Sequence, residues 1–194
     1  MLILITGIGI VGKSTLRRQK KALFETLDAY KDKVEHYDAD KFREIRHPLD
    51  QDLLSKLPYI FPSDKVFIIE DIHATKNNAI LPLGKYDMIT YIRVSTFAQI
   101  LFWLPRIKRW WARGQYSWEA ETNRFKGNGR PYSLANIPGI MKELFGDIRN
   151  RRKWIKEDLR KLRAWEKSKG NKVEILKASW TWSGPVYMSV LELD

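Results

Sequence analysis

The residues Gly7-Ile8-Gly9-Ile10-Val11-Gly12-Lys13-Ser14 match the spacing G-x-x-x-x-G-K-[ST], and Thr15 follows directly. In such a loop, backbone N–H groups wrap the β-phosphate of a nucleotide. The lysine reaches the β- and γ-phosphates, and the serine hydroxyl binds Mg²⁺. The chemistry implied is the binding of ATP or GTP together with Mg²⁺. Ile10 and Val11 are branched and disfavour positive φ, so the loop must hold them in ordinary backbone conformations.

Two acidic positions accompany the loop. Asp38 and Asp40 close a short strand-like run, and Glu70-Asp71 closes an apolar one. Phosphoryl transfer needs positioning, neutralisation of phosphate charge and a carboxylate to accept a hydroxyl proton. Asp38, Asp40 and Glu70 are candidates to meet an acceptor. Ser14, Glu70 and Asp71 are candidates to hold Mg²⁺ or its waters. Aspartates after strands also serve as caps and turn formers, and His73 reads as a packing or loop residue. A third group, Arg106, Arg109 and Arg113, is spaced i, i+3, i+7 and so projects from one helix face, beside an apolar stripe of Leu104, Ile107 and Trp111. Arginines so placed can close over a triphosphate and stabilise the transferring group. The later cluster Arg149, Arg151, Arg152, Lys153 and Lys156 reads first as a solvated basic face.

The elements that must position these groups alternate in type. Met1 to Thr6 is a short apolar run suited to a buried parallel strand, and Ser14 to Tyr30 reads as a helix. Strands are expected at 34–37, 65–69 and 87–94, with a helix over Pro48 to Leu57 entered through its proline. Such alternation implies a parallel sheet sandwiched by helices, with ligands at the carboxyl ends of the strands. The second half reads as mostly helical. One helix starts at Phe97, kinks at Pro105 and stops at Gly114, and the stretch 116–138 is loop-like. A long helix from about Lys142 to Ser168 carries Ile148, Ile155, Leu159 and Leu162 as its buried stripe. Lys172 to Leu176 is the expected last core strand, ahead of a short terminal segment.

The 194 residues suit one domain: a nucleotide-binding core (1–96), a basic helical lid and substrate region (97–170), and a last strand with its terminal segment (171–194). There is no cysteine, which excludes disulfides, thiolate metal sites and cysteine nucleophiles. No apolar stretch is long enough to span a bilayer and the first residues read as a core strand, so the expected setting is cytoplasmic, with no membrane partner. Net charge is +12. Residues 1–96 hold 15 Lys/Arg against 13 Asp/Glu, residues 97–194 hold 20 against 10, and all eight tryptophans lie in the second half. A basic, aromatic half suits a polyanionic ligand such as a nucleotide, a polyphosphate or a nucleic acid.

With these residues in place, the chain resembles the P-loop kinases, and among them the uridine kinase and phosphoribulokinase-like group. The likeness rests on the Gly7–Ser14 loop, on Asp40-Lys41-Phe42-Arg43, on Glu70-Asp71-Ile72-His73-Ala74, and on Arg106-Ile107-Lys108-Arg109 with Arg113-Gly114, all within residues 1–115. It implies a P-loop NTPase fold with a basic helical lid. Asp40 would be the base acting on the acceptor hydroxyl, Lys13 and the lid arginines would stabilise the phosphates, and Ser14 with Glu70 would serve Mg²⁺. Asp71 stands where the group has glycine, Trp110 where the lid has aspartate, and Arg43 where a tyrosine sits beside the acceptor.

The expectation from sequence is therefore an ATP/Mg²⁺-dependent kinase of a small molecule, a nucleoside or nucleotide above all. Two alternatives stand beside it. One is a polynucleotide 5′-hydroxyl kinase, which would use the basic half to hold its acceptor. The other is a nucleic-acid-stimulated P-loop ATPase, which would read Glu70-Asp71 as a hydrolytic motif. Nothing in the sequence fixes the oligomeric state.

Overall fold

The computed structural model describes residues 1–7, 12–38, 61–76, 79–113, 115–116, 130–131, 137–181 and 184–190. The first strand, β1 (Leu2–Gly7), is followed by helix α1 (Lys13–Glu25). Next come β2 (Val34–Asp38), β3 (Val66–Glu70), β4 (Met88–Val94) and helix α2 (Thr96–Arg113). Two-residue strands β5 (Gln115–Tyr116) and β6 (Arg130–Pro131) pair with each other. Helix α3 (Ile137–Lys169), β7 (Glu174–Thr181) and β8 (Gly184–Ser189) complete the described chain.

Among the described residues the main sheet has six strands in the order β2-β3-β1-β4-β7-β8. The first five run parallel and β8 joins β7 antiparallel. The expected α/β class with a largely parallel sheet is thus present. The expectation of a short terminal segment after residue 176 is corrected: the last parallel strand continues to Thr181 and turns back as an edge strand.

Apolar side chains on both faces explain why the inner strands read as unbroken hydrophobic runs. In β1, Ile3 and Ile5 point to one face, with Val66 and Ile68 of β3 and Leu16 of α1. Leu4 points to the other, with Ile69, Tyr91 and the α3 residues Leu162 and Trp165. Each of these side chains is at most 5% exposed. Fully burying one such side chain is worth about 1.5–3 kcal/mol, so the central strands are the rigid platform on which the loop residues stand.

Helix boundaries follow from local chemistry. Ser95 caps α2, its hydroxyl accepting from the Ala98 N–H at 3.1 Å. The helix runs through Pro105 as one element to Arg113, continuing past the proline as expected. α3 begins at Ile137, five residues before the sequence pattern suggested. It stops at Gly170, whose φ of +71° ends the helix in the left-handed conformation that glycine tolerates. α1 ends at Glu25, and a separate 3₁₀ turn covers Asp28–Tyr30. The expected helix over Pro48 to Leu57 lies outside the described residues.

Candidate functional site

The site is built where β1 and β3 end and α1 begins. Gly7 is the last residue of β1, with φ +142°, and its α-carbon lies so close to β4 that a β-carbon there would sit 2.6 Å from the Ile92 carbonyl oxygen. Gly12 has φ +79° and precedes the first turn of α1. Its carbonyl accepts from Thr15 N–H at 3.0 Å and Leu16 N–H at 3.1 Å, which starts the helix. Ile8, Gly9, Ile10 and Val11, between these two glycines, lie outside the described residues. Lys13 is buried, with 4% of its surface exposed, on the first turn of α1, at the positive end of the helix dipole.

Ser14 donates its hydroxyl to Glu70 Oε1 at 3.0 Å. The other carboxylate oxygen of Glu70 lies 3.5 Å from Arg17 Nη1, one turn further along α1. Glu70 ends β3 on the face of Val66 and Ile68, the face that α1 covers. Asp71, one residue on, goes elsewhere. It is 1% exposed, and its two oxygens accept from the backbone N–H groups of His73, at 2.7 Å, and Ile80, at 3.3 Å. Its carboxylate shapes the loop after β3, while that of Glu70 reaches the serine of the glycine-rich motif.

Two contributions were not read from the sequence. Arg17 lies outside the loop motif, although its i+3 spacing from Ser14 puts both on one side of α1. Tyr187 of β8 donates its hydroxyl to the Gly12 carbonyl at 2.5 Å. Burial, with the nearby charge of Glu70 in support, pushes this phenol up to about 12 against the opposing pull of Thr15, the Leu16 backbone and Arg18. It therefore remains a neutral donor throughout the physiological range.

The other candidates distribute as follows. Asp38 is the last residue of β2, paired in register with Glu70, so its backbone stands at the same sheet edge. Asp40 and Arg43 lie outside the described residues. Arg106, Arg109 and Arg113 all fall on α2, and their side chains lie outside what the structure describes. What the structure brings together is Gly12, Lys13, Ser14 and Thr15 with Glu70, Arg17 and Tyr187.

Among the described residues no group of three or more His, Asp or Glu side chains is placed to hold a metal ion. Ser14 and Glu70 offer two oxygens at one point. This suits Mg²⁺, which keeps several waters and takes phosphate oxygens rather than an all-protein cage. No described helix is long and apolar enough to cross a membrane.

A solved structure described as the crystal structure of APE1195 is similar to this chain at 14% identity with a TM-score of 0.40, covering 76% of this chain and 96% of that one. No protein-family model matches the chain, and no curated protein matches it.

Proposed function

We propose that the chain is a P-loop phosphotransferase that uses ATP or GTP with Mg²⁺ to phosphorylate a small acceptor, a nucleoside or nucleotide being the leading class. The observation that carries this reading is the 3.0 Å hydrogen bond from Ser14 to Glu70. A serine that follows the loop lysine can offer a lone pair to Mg²⁺ while its proton is held by a carboxylate. That carboxylate stands on the strand next to β1, at the edge where parallel sheets bind ligands.

In this reading Gly7 to Thr15 cradle the phosphates, Lys13 lies against them, and Ser14 and Glu70 hold the Mg²⁺, which supplies charge neutralisation. Arg17 orients Glu70. Asp40 is the proposed base for the acceptor hydroxyl, and Arg106, Arg109 and Arg113 of α2 are the proposed lid. A cytoplasmic setting goes with the use of ATP.

The test is transfer of labelled γ-phosphate from ATP/Mg²⁺ to pooled nucleosides, nucleoside monophosphates and 5′-hydroxyl oligonucleotides, with Lys13→Ala and Asp40→Ala as controls. Label in one pool, lost in both variants, supports the transferase and names its acceptor. Release of free phosphate alone, stimulated by DNA or RNA and indifferent to Asp40→Ala, leaves an ATPase instead.

A further inference from the structure

A groove of about 810 Å³ lies between α3 and the carboxyl end of β4, and none of its described lining residues is acidic. Arg93 of β4 and Arg151 of α3 stand at its head. Arg152, Lys156, Arg160, Arg163 and Lys167 run along its length, and Ile155, Leu159 and Ala164 supply its apolar part. Seven cations thus face one concavity.

The fold concentrates this charge at a cost. Arg93 is paired in register with Lys177 on β7, and like charges facing each other on neighbouring strands destabilise a sheet. Burial first, then Arg93 and Arg152, hold the Arg151 guanidinium below its ordinary range. Arg151 reaches Thr96 with Nη1 at 2.9 Å. Its Nε is buried with no hydrogen-bond partner among the described residues. A polyanion in the groove would offset the mutual repulsion of Arg93, Arg151 and Arg152.

The spacing narrows the class. Arg152, Lys156 and Arg160 follow one another at i, i+4, i+8 and therefore stand about 6 Å apart along the helix. Through Lys167 the row extends for about 22 Å. A single triphosphate would meet only part of such a row, whereas a chain of regularly repeated phosphates would meet all of it. An anionic membrane is flat, and the exposed apolar residues Met141 and Phe145 lie toward the other end of α3 rather than in the groove. No aromatic residue is among its described lining, so bases would not be stacked there.

We propose that this groove seats the phosphodiester backbone of a nucleic-acid strand, independently of base sequence. The inference goes beyond the phosphotransferase reading and does not depend on it. Arg93 lies on the face of β4 opposite to Ile92 and Val94, which pack on the α1 side, so the groove lies across the sheet from the helix that carries Lys13 and Ser14.

The test is fluorescence anisotropy with labelled 20-mers of single-stranded DNA, single-stranded RNA and duplex DNA, between 50 and 200 mM salt. For about five neutralised phosphates on a single strand, affinity should fall about a hundredfold over that range. The triple variant Arg152→Ala, Lys156→Ala, Arg160→Ala alters exposed side chains only and should bind at least tenfold more weakly. The triple variant Lys31→Ala, Lys33→Ala, Lys85→Ala removes the same net charge elsewhere and should stay within twofold of the parent. Lys13→Ala should also leave oligonucleotide binding intact. The three oligonucleotides decide which form of backbone is preferred, any of them supporting the site. Equal losses in the two triple variants would reduce the effect to net charge and overturn the proposal. So would absence of oligonucleotide binding, or groove-dependent binding seen only with inorganic triphosphate or with phosphatidylserine vesicles.

Discussion

Tyr187 and Gly12 are separated by 175 positions and joined by a 2.5 Å hydrogen bond from the phenol to the glycine carbonyl. The antiparallel edge strand thereby holds the residue from which α1 starts. The same carbonyl accepts the first two helical N–H bonds, so the tyrosine fixes the direction of the peptide that aims Lys13 and Ser14. Phe102 of α2 packs against the same glycine and, edge-on, against Trp180 of β7. β8, β7 and α2 thus form a wall behind Gly12.

Tyr187→Phe should lower stability by about 1 kcal/mol, the worth of one such hydrogen bond, and should weaken ATP binding severalfold by loosening Gly12. It should also change the alkaline limb of stability. The phenol of the folded protein is raised to about 12, against about 10 when unfolded. Its contribution is therefore complete below pH 10 and is lost as pH rises through 12. Urea unfolding at pH 8 and pH 11 checks this: the difference between wild type and Phe variant should narrow at the higher pH. Tyr91, also raised by burial, supplies the same slope in both proteins and cancels in the comparison.

The two glycines should respond differently to alanine. At Gly7 the obstacle is the Ile92 backbone carbonyl, 2.6 Å from the new β-carbon, and it cannot move without disturbing the β1–β4 pairing. At Gly12 the nearest atom is the Tyr187 hydroxyl, at the end of a side chain that can turn away. Gly7→Ala should cost about 3 kcal/mol or more, and Gly12→Ala about 1–2 kcal/mol from its positive φ. Gly12→Ala should nonetheless lose most ATP affinity, because the carbonyl and the helix start both shift. Thermal unfolding and ATP titration of the two variants separate these outcomes, and equal destabilisation would contradict the assignment.

Much of this arrangement was legible in the chain. The apolar run of β1 and the glycines at positions 7 and 12 placed a strand end and a helix start where they occur. The choice between Glu70 and Asp71 was legible too, through parity. Successive strand residues face opposite ways, and Glu70 shares its side with Val66 and Ile68, beneath α1. The basic row on α3 repeats every three or four residues from Arg152 to Lys167 but looks like any solvated face until Arg93 is folded against it. β8 left almost no signal. In Gly184–Ser189, Val186 and Met188 are exposed while Pro185 and Tyr187 are half-buried, so its apolar residues do not mark the inward face. The Tyr187–Gly12 contact was beyond reach because it depends on where that edge strand docks.

Glu70 and Asp71 should separate in their effects. Glu70→Gln keeps an oxygen for the Ser14 hydroxyl but removes the charge that would attract Mg²⁺ and face Arg17. Phosphoryl transfer should then require about tenfold more Mg²⁺, a typical loss for a group that supports a metal ligand, with little change in unfolding. Asp71→Asn cannot accept both backbone N–H groups. It should cost about 1–3 kcal/mol and leave the Mg²⁺ requirement unchanged in the protein that remains folded. Rates measured against Mg²⁺ concentration, paired with urea unfolding, check both. An Asp71→Asn variant of unchanged stability but altered Mg²⁺ dependence would return that carboxylate to the metal.

Asp158 ties α3 to the sheet by hydrogen bonds, beside the apolar contacts of Leu162 and Trp165. It accepts from Thr75 Oγ1 and, at 3.2 Å, from the Tyr91 hydroxyl, while Lys161 donates to the Thr75 carbonyl. Burial raises its carboxyl above the ordinary range, against the pull of Thr75, Tyr91, Lys76 and Lys161. A raised folded value means that this group's contribution is complete below about pH 4 and is lost as pH rises through the folded value. Asp158→Asn never ionises and retains one acceptor, and either hydroxyl can rotate to accept from its amide. It should therefore stay within about 1 kcal/mol of wild type at pH 7 and lack the decline that wild type shows above pH 4. Asp158→Ala leaves two buried hydroxyls without their acceptor and should cost about 2–4 kcal/mol. Urea unfolding of the three proteins between pH 4 and pH 7 decides the matter, since equal losses for Asn and Ala would mean that packing, and not the hydrogen bonds, holds α3 in place.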